Sequence, residues 1–546
     1  MTKPKLLLIH SINPSIFSDS EDYKKGMSIA PGLTIVKKIF DKKGFETEIL
    51  NLNFQYLEEN ISKKNFYNDT LKLILGKEPD YIGFNTFGPS YHVTLRLTER
   101  IKEEYPEVTI FLGNQQATST DKETLRQYNS VDIICRGEAE KSVQKLADQF
   151  KGKEKIENIP GITFRDNSGN IKRNQAEIVK GKNILTVRSE KNKLIEKYEG
   201  VIDNILHIEG TRGCPFNCTF CSTKVHWDKY RVKPVDILID EIKENVERTG
   251  INTVEILGDL FTADKEYLLD FCNKISKTEV EWICFGKTTL LDKETIDILD
   301  ESGCHSLLFG IESGDDSILR RIKKETTSEI NDEIINYIPE ETNIRPKCTF
   351  IIGFPYETEE NINNTLEKII DYYSLGSEII LYTIEPLRET ELYENYKKDL
   401  ITNNTLLDER EDIVLIDEKD KETIKRNKRL FSYCYRFGME NMSIYHMLGL
   451  KRIFSHLLFN YPNTLVKYHK KYSDNTVVDL LKKILCIEDA EVTESQLTML
   501  LNHDFRDKLV NNFFNKQINK ELKITFINEK YGLLEKEEVG GEFCYQ

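Results

Sequence analysis

Twice along this chain, short apolar runs alternate with longer amphipathic ones, and this alternation limits the fold more than any other feature. In the first block Lys5–Ile9, Glu46–Leu50, Tyr81–Asn85, Val108–Leu112 and Asp132–Cys135 read as short buried strands. Between them, Leu33–Lys43 and Tyr91–Glu104 carry apolar residues at helical spacing, and Gly44 ends the first of these helices. Strands separated by helices are joined by right-handed crossovers, which predicts a doubly wound parallel α/β sheet. Ligands of such sheets sit beyond the carboxyl ends of the strands. The loops at that end are Ser11–Pro14, Asn85–Ser90, Gly113–Thr118 and Arg136–Glu138.

The alternation resumes from about residue 205 to 395. Strands are expected at Ile205–Glu209, Thr253–Leu257, Glu281–Phe285, Ser306–Phe309, Lys347–Ile352 and Glu378–Thr383, with helices between them. Six βα units in a row predict a partial (β/α)₆ barrel. The polar, lysine-rich stretch 151–204 reads as a connector carrying a small hairpin around Asp166-Asn167-Ser168-Gly169-Asn170. Residues 396–546 read as a mainly helical C-terminal region with a loop at Ser473–Asn475. The boundaries are therefore 1–150, 151–204, 205–395 and 396–546.

At 546 residues the chain is too long for one ordinary domain, and 39% hydrophobic with 31% charged residues is a globular balance. A net charge of -15 argues against a general nucleic-acid-binding surface. No apolar run approaches the roughly 18–20 residues that span a bilayer. The run Leu6–Ile9 is cut short by His10, Ser11 and Asn13, so it reads as a buried strand rather than a signal peptide. A cytoplasmic protein without membrane contact is expected.

Of eleven cysteines, Cys135, Cys272, Cys284, Cys304, Cys348 and Cys434 sit singly in apolar segments and read as small buried hydrophobes. One group is tightly spaced. Cys214, Cys218 and Cys221 follow a Cys-x₃-Cys-x₂-Cys pattern directly after the first strand of the second block, with Gly213 and Pro215 suited to a tight loop. Three thiolates match three irons of a [4Fe-4S] cube and leave the fourth iron open to a bidentate ligand. Structural zinc takes four ligands, and His226 is the only local candidate for a fourth. A cluster serving only electron transfer usually has four cysteines.

The trio, with Phe220 before its third cysteine, resembles the signature of the radical S-adenosylmethionine (radical SAM) superfamily. Further elements resemble that family in order: Leu257-Gly258-Asp259, Gly310-Ile311-Glu312-Ser313-Gly314, and Ile352-Gly353-Phe354-Pro355-Tyr356-Glu357-Thr358. Tyr356 stands where the family usually has glycine. The resemblance implies that S-adenosylmethionine is held by Phe220, Gly258, Asp259, Lys287, Glu312, Ser313, Gly353, Phe354 and Pro355. Gly258 and Asp259 would meet the methionine amino group, and Lys287 its carboxylate.

Ala30-Pro31-Gly32-Leu33, Gly44-Phe45-Glu46-Thr47-Glu48, Gly83-Phe84-Asn85-Thr86 and Arg136-Gly137-Glu138-Ala139-Glu140 resemble the Rossmann/flavodoxin-like cobalamin-binding domains attached to such barrels. The resemblance covers roughly residues 3 to 395. It implies a corrinoid near Asn85, Thr86, Phe87, Pro89, Ser90, Gly113, Asn114, Gly137 and Glu138. The Asp-x-His-x-x-Gly motif of other cobalamin enzymes is absent: Leu8 stands two positions before His10. His10 and His92 read as packing or surface residues. Gly113-Asn114-Gln115-Gln116 replaces a loop that often reads Gly-Gly-x-His. A domain of this architecture that binds no cobalamin is the competing reading.

The resemblance implies reductive cleavage of S-adenosylmethionine to a 5′-deoxyadenosyl radical. With cobalamin it implies methyl transfer to an unactivated carbon or phosphorus centre of a small molecule, natural-product intermediate or peptide. The electron donor would be a flavodoxin or ferredoxin. The alternatives are a cobalamin-dependent rearrangement or cyclisation, a radical enzyme without cobalamin, and an iron–sulfur redox sensor. Tyr433, Tyr435, Phe437, Tyr445, His446 and Met447 read either as core or as a cover over substrate. The charge runs Asp408–Asp420 and Lys421–Arg429 read as solvated helix faces.

Overall fold

A computed structural model describes residues 3–17, 31–184, 197, 204–472, 475–487, 490–516 and 520–530. Ala30, most of 185–203, Ser473 and Asp474 of the expected loop, and the last sixteen positions, 531–546, lie outside the described residues.

The first block forms one seven-stranded sheet. Its strands are β1 (Lys5–His10), β2 (Glu46–Asn51), β3 (Tyr81–Asn85), β4 (Thr109–Gly113), β5 (Ile133–Cys135), β6 (Ile162–Arg165) and β7 (Ile171–Arg173), in the order β2-β1-β3-β4-β5-β6-β7. The first five are parallel, and β6 and β7 add antiparallel. Leu6, Leu7, Leu8 and Ile9 are all buried because helices cover both faces of the central strand. The hairpin expected in the connector is present, but it pairs onto this sheet through Ile133↔Phe164 and Cys135↔Ile162. The connector is thus in part sheet edge, because β5 leaves an unpaired edge that the hairpin covers.

The second block forms an open parallel sheet. Strand β8 (Ile205–Glu209) is followed by a two-stranded ribbon, β9 (Thr211–Arg212) and β10 (Arg231–Val232). Then come β11 (Thr253–Leu257), β12 (Glu281–Gly286), β13 (Cys304–Glu312), β14 (Arg345–Ile352) and β15 (Glu378–Thr383). The six long strands lie in sequential order, β8 to β15, with no pairing between the first and last. This is the expected partial barrel. The ribbon was not expected from the sequence; it brackets the cysteine loop, with Arg231 opposite Arg212.

The C-terminal region divides into two parts. Helices from Ile444 onward pack on the outside of the barrel, sharing one core with Trp282, Phe309 and Phe350. Residues from about 396 to 443 instead run as a strap between the two sheets. Leu430, Phe431, Tyr435 and Val414 share a core with Phe84, Tyr91 and Ile12 of the first block and with Phe354 and Ile384 of the barrel. Burying such side chains contributes about 1.5–3 kcal/mol each. Tyr435, Phe437, His446 and Met447 are core residues rather than a cover. Among the described residues, no helix is long and apolar enough to cross a membrane.

Candidate active site at the facing ends of two sheets

The cysteine loop leaves β8 at the carboxyl end of the barrel sheet. Gly213 has φ +80, and a Cβ there would lie 2.6 Å from the Lys229 carbonyl oxygen, so only glycine suits this turn. Its N–H donates to Asp259 Oδ2 at 2.9 Å, and the Thr223 hydroxyl donates to Asp259 Oδ1 at 2.9 Å. Asp259, at the end of β11, therefore ties both ends of the cysteine loop. It stays accessible from the mouth, yet desolvation by the surrounding wall raises its pKa. Both carboxylate oxygens hold the loop, whereas the sequence reading assigned this residue to a ligand amino group. Gly258 is needed because a Cβ there would lie 1.9 Å from Thr211 Oγ1.

The trio differs from the other cysteines. Cys135, Cys272, Cys284, Cys304, Cys348 and Cys434 are sealed in the core, as expected, while Cys214 and Cys218 are half-buried and Cys221 is exposed. Among the described residues, the sulfurs do not form a group gathered within 4.8 Å. Three thiolates on one loop are the donors that three irons of a cluster, each taking one thiolate, require. Burial pushes the Cys218 thiol up to about 11, against the pull of the Lys324 ammonium.

Two lysines face this loop. Lys324 Nζ donates to Glu312 Oε1 at 2.7 Å, and its pKa is raised by Glu312, Cys218 and Cys221 in spite of burial. Lys287 is buried, with its ammonium 3.9 Å above the Phe216 ring and donating to the Lys324 carbonyl. Desolvation, and then Lys324, lower its pKa. Lys324 was absent from the sequence-derived site, because only the folded chain brings it to the trio. Positive φ at Lys323 and Glu325 reverses the chain there. Glu312 also has a positive φ, of 69°, in the Gly-Ile-Glu-Ser-Gly element.

Phe220 packs edge-on against Phe354 at 5.9 Å, so the cysteine loop touches the turn after β14. In that turn Gly353 and Phe354 donate their N–H groups to Glu357 Oε2 at 2.6 and 3.0 Å. Burial pushes the Glu357 carboxyl up to about 8. Pro355 receives the Glu440 N–H of the strap on its carbonyl. Tyr356, in place of the usual glycine, is buried under Arg321, whose guanidinium lies 3.6 Å from its ring centre. Ser313 turns away from the mouth and meets Thr365 at 2.9 Å.

The ligand end of the first sheet is only partly as expected. Asn85, Phe87 and Pro89 are half-buried, and a Cβ on Gly113 would make an ordinary contact with the Cys135 carbonyl oxygen at 3.8 Å. Buried polar atoms without a partner there include His10 Nδ1, Ser90 Oγ and Asn51 Nδ2. His10 lies at the switch between β2-β1 and β1-β3, its ring edge-on to Phe87 at 5.9 Å. Burial lowers its pKa to about 4. Unpartnered polar atoms beside half-buried loops at the switch point suit a large polar ligand such as a corrinoid. Other assigned residues are engaged within the protein. The Thr86 hydroxyl donates to the Gly113 carbonyl and accepts from Ala117 N–H. Asn114, at φ 84, caps the helix starting at Gln115, so Gly113–Thr118 is a tight turn and a helix start rather than an open loop. Gly137 donates its N–H to Thr118.

Glu138 faces the barrel. It accepts from Arg212 Nη1 at 3.1 Å and Arg231 Nη1 at 2.9 Å, one from each strand of the ribbon around the cysteine loop. Across the mouth, the strap joins the same two sheets. Val414 N–H donates to the Pro89 carbonyl, a Cβ on Gly88 would meet the Tyr433 ring at 2.7 Å, and Arg410 pairs with Glu385 just beyond β15 at 2.8 Å. A cavity of about 730 Å³ lined by Asn217, Arg320, Lys323, Glu325 and Glu391 opens beside the cysteine loop, with a strongly charged wall.

Comparison with known proteins gives the same two units. The sequence profile of the Radical SAM superfamily matches residues 208–369, and that of the B12 binding domain matches residues 25–147. The chain belongs to the radical SAM superfamily and carries a B12 binding domain. The cofactors that go with these two domains are a [4Fe-4S] cluster, S-adenosylmethionine and cobalamin. An uncharacterized methyltransferase of Pyrococcus horikoshii is 26% identical over 55% of this chain and 66% of its own length. An anaerobic magnesium-protoporphyrin IX monomethyl ester cyclase of Cereibacter sphaeroides is 24% identical over 57% of this chain and 52% of its own length. The match thus spans about half to two thirds of these relatives. The solved cobalamin-dependent S-adenosylmethionine radical enzyme OxsB superposes with a TM-score of 0.64 over 97% of this chain and 85% of its own. At 16% identity that likeness concerns the fold.

Proposed function

We propose that this radical SAM protein is a cobalamin-dependent methyltransferase acting on an unactivated carbon or phosphorus centre of a small molecule or peptide. The observation that carries this reading is the Glu138–Arg212 pair, which joins the ligand end of the B12 binding domain to the ribbon that opens into Cys214. Relatives named as methyltransferases support it. When bound, the cluster with S-adenosylmethionine supplies a hydrogen-abstracting carbon radical, and the corrinoid supplies a transferable methyl group.

The chain's own residues bind, orient and shield. Cys214, Cys218 and Cys221 would hold the cluster, on a loop pinned by Asp259. Lys324 and Lys287 place positive charge beside the thiolates. Phe220 and Phe354 build an apolar wall at the mouth. His10, Ser90, Asn85 and Phe87 would meet the corrinoid. The strap closes the opposite side through Tyr433 and Val414, which excludes water from radical chemistry.

A second reading, rearrangement or cyclisation without methyl transfer, is favoured by the relatives named as cyclases. Product mass separates the two. The cluster-reconstituted protein, loaded with hydroxocobalamin, is incubated anaerobically with reductant, candidate substrates and methyl-labelled S-adenosylmethionine. The expected product is heavier by one labelled methyl in place of hydrogen. Failure to retain corrinoid through gel filtration, or 5′-deoxyadenosine formation that survives Cys→Ala at all three positions, overturns the proposal.

A further inference from the structure

Three metal-ligating side chains meet far along the chain, in the C-terminal helices. His456 lies on the helix Ile444–Asn460, and His503 and Asp507 lie one turn apart on the helix His503–Asn515. His456 Nε2 is 3.0 Å from Asp507 Oδ1, and His503 Nδ1 is 3.7 Å from Asp507 Oδ2. The rings of the two histidines are 5.0 Å apart. One ligand atom from each residue lies within 4.8 Å of the others. With metal–ligand bonds of about 2.0–2.1 Å, a tetrahedral edge is roughly 3.4 Å. The two histidines reach different oxygens of Asp507, Oδ1 and Oδ2, so the carboxylate stands between them as the shared ligand group. His503, 58% exposed, is the ligand that would have to shift to bring all three donors onto one ion.

We infer that His456, His503 and Asp507 form a three-ligand site for a divalent ion of the zinc class, clamping the helix His503–Asn515 onto the helix Ile444–Asn460. Two imidazoles and one carboxylate form a donor set that zinc and its neighbours accept, with a remaining position for water. The site is separate from the cysteine trio and independent of the proposed reaction.

The surroundings favour the inference in one respect and oppose it in another. The His456 side chain is 1% exposed. The Asn460 amide at its Nδ1 and the Asp507 carboxylate at its Nε2 fit a neutral ring, the form a metal requires. Arg506 repels a cation, although its guanidinium is drawn off by the carbonyls of Leu500 and Leu501. Without metal, Asn460 meets His456 Nδ1 at 3.2 Å, so Nε2 carries the proton toward Asp507. On metal binding that proton passes to Nδ1, the Asn460 carbonyl turns to accept it, and Nε2 bonds the ion. The ring remains neutral, and nothing is oxidised or reduced.

Zinc chloride is titrated into the full-length protein carrying Cys214→Ser, Cys218→Ser and Cys221→Ser, which keeps the ion off the trio. Calorimetry and thermal unfolding are followed. The expected result is one saturable site and a melting temperature that rises with zinc. His503→Ala, at an exposed position, should leave the melt in EDTA unchanged, abolish the zinc-dependent rise and weaken binding at least about tenfold. Asp507→Asn is the second variant and should weaken zinc equally. No zinc binding, or binding of unchanged affinity in both variants, overturns the site and leaves the three side chains as an ion-paired helix contact.

Discussion

Arg212 donates to Glu140 at 2.6 Å across the seam between the two parallel sheets, two residues before the first cysteine of the trio. The same guanidinium reaches Glu138 and Glu209. One buried cation therefore sets the position of the cysteine loop relative to the B12 binding domain.

Removing that cation takes away the buried partner of Glu140, while Glu138 keeps Arg231. Arg212→Met should destabilise the protein by about 3–5 kcal/mol. The measurement is the urea midpoint, together with trypsin sensitivity at the domain seam. Adding Glu140→Gln should recover part of the loss, because fewer charges are then unpaired.

Lys324 is the cation facing the trio. Lys324→Met removes positive charge beside the thiolates, so the reduced, more negative cluster loses stabilisation. The reduction potential should fall, as read by redox titration monitored by electron paramagnetic resonance. Formation of 5′-deoxyadenosine should slow in parallel. An unchanged potential would separate Lys324 from the cluster.

Gly88 is packed against Tyr433 of the strap. Gly88→Ala places a methyl within 2.7 Å of that ring and should cost about 1–3 kcal/mol by overpacking. Corrinoid retention in gel filtration should fall as well. The pairing of Gly88→Ala with Tyr433→Leu should restore thermal stability.

Glu357 gives a pH dependence of defined sign. Its folded pKa is raised to about 8 from the ordinary 4.5, so the folded state holds a proton that the unfolded state has released between these values. Its contribution to stability is thus fully present below about pH 4.5, falls as pH rises, and is lost above about 8. Glu357→Gln, which cannot titrate, should flatten this part of the melting curve against pH.

The local pattern of residues determined the strands, the ribbon-free outline of the barrel and the cysteine spacing. Tyr81–Asn85 and Ile205–Glu209 are strands at the positions their apolar runs predict. This follows because strand burial is written in a period of two to five residues, and cluster ligation in a spacing of three and two. Tertiary structure alone decided who meets whom. It turned Asp259 onto Gly213 and Thr223, aimed Glu138 at the barrel, brought Lys324 to the trio through positive-φ residues, and threaded residues 396–443 between the sheets. Lys324 was not legible as a site residue in sequence. Only long-range packing desolvates it and pairs it, at 2.7 Å, with a glutamate twelve residues away.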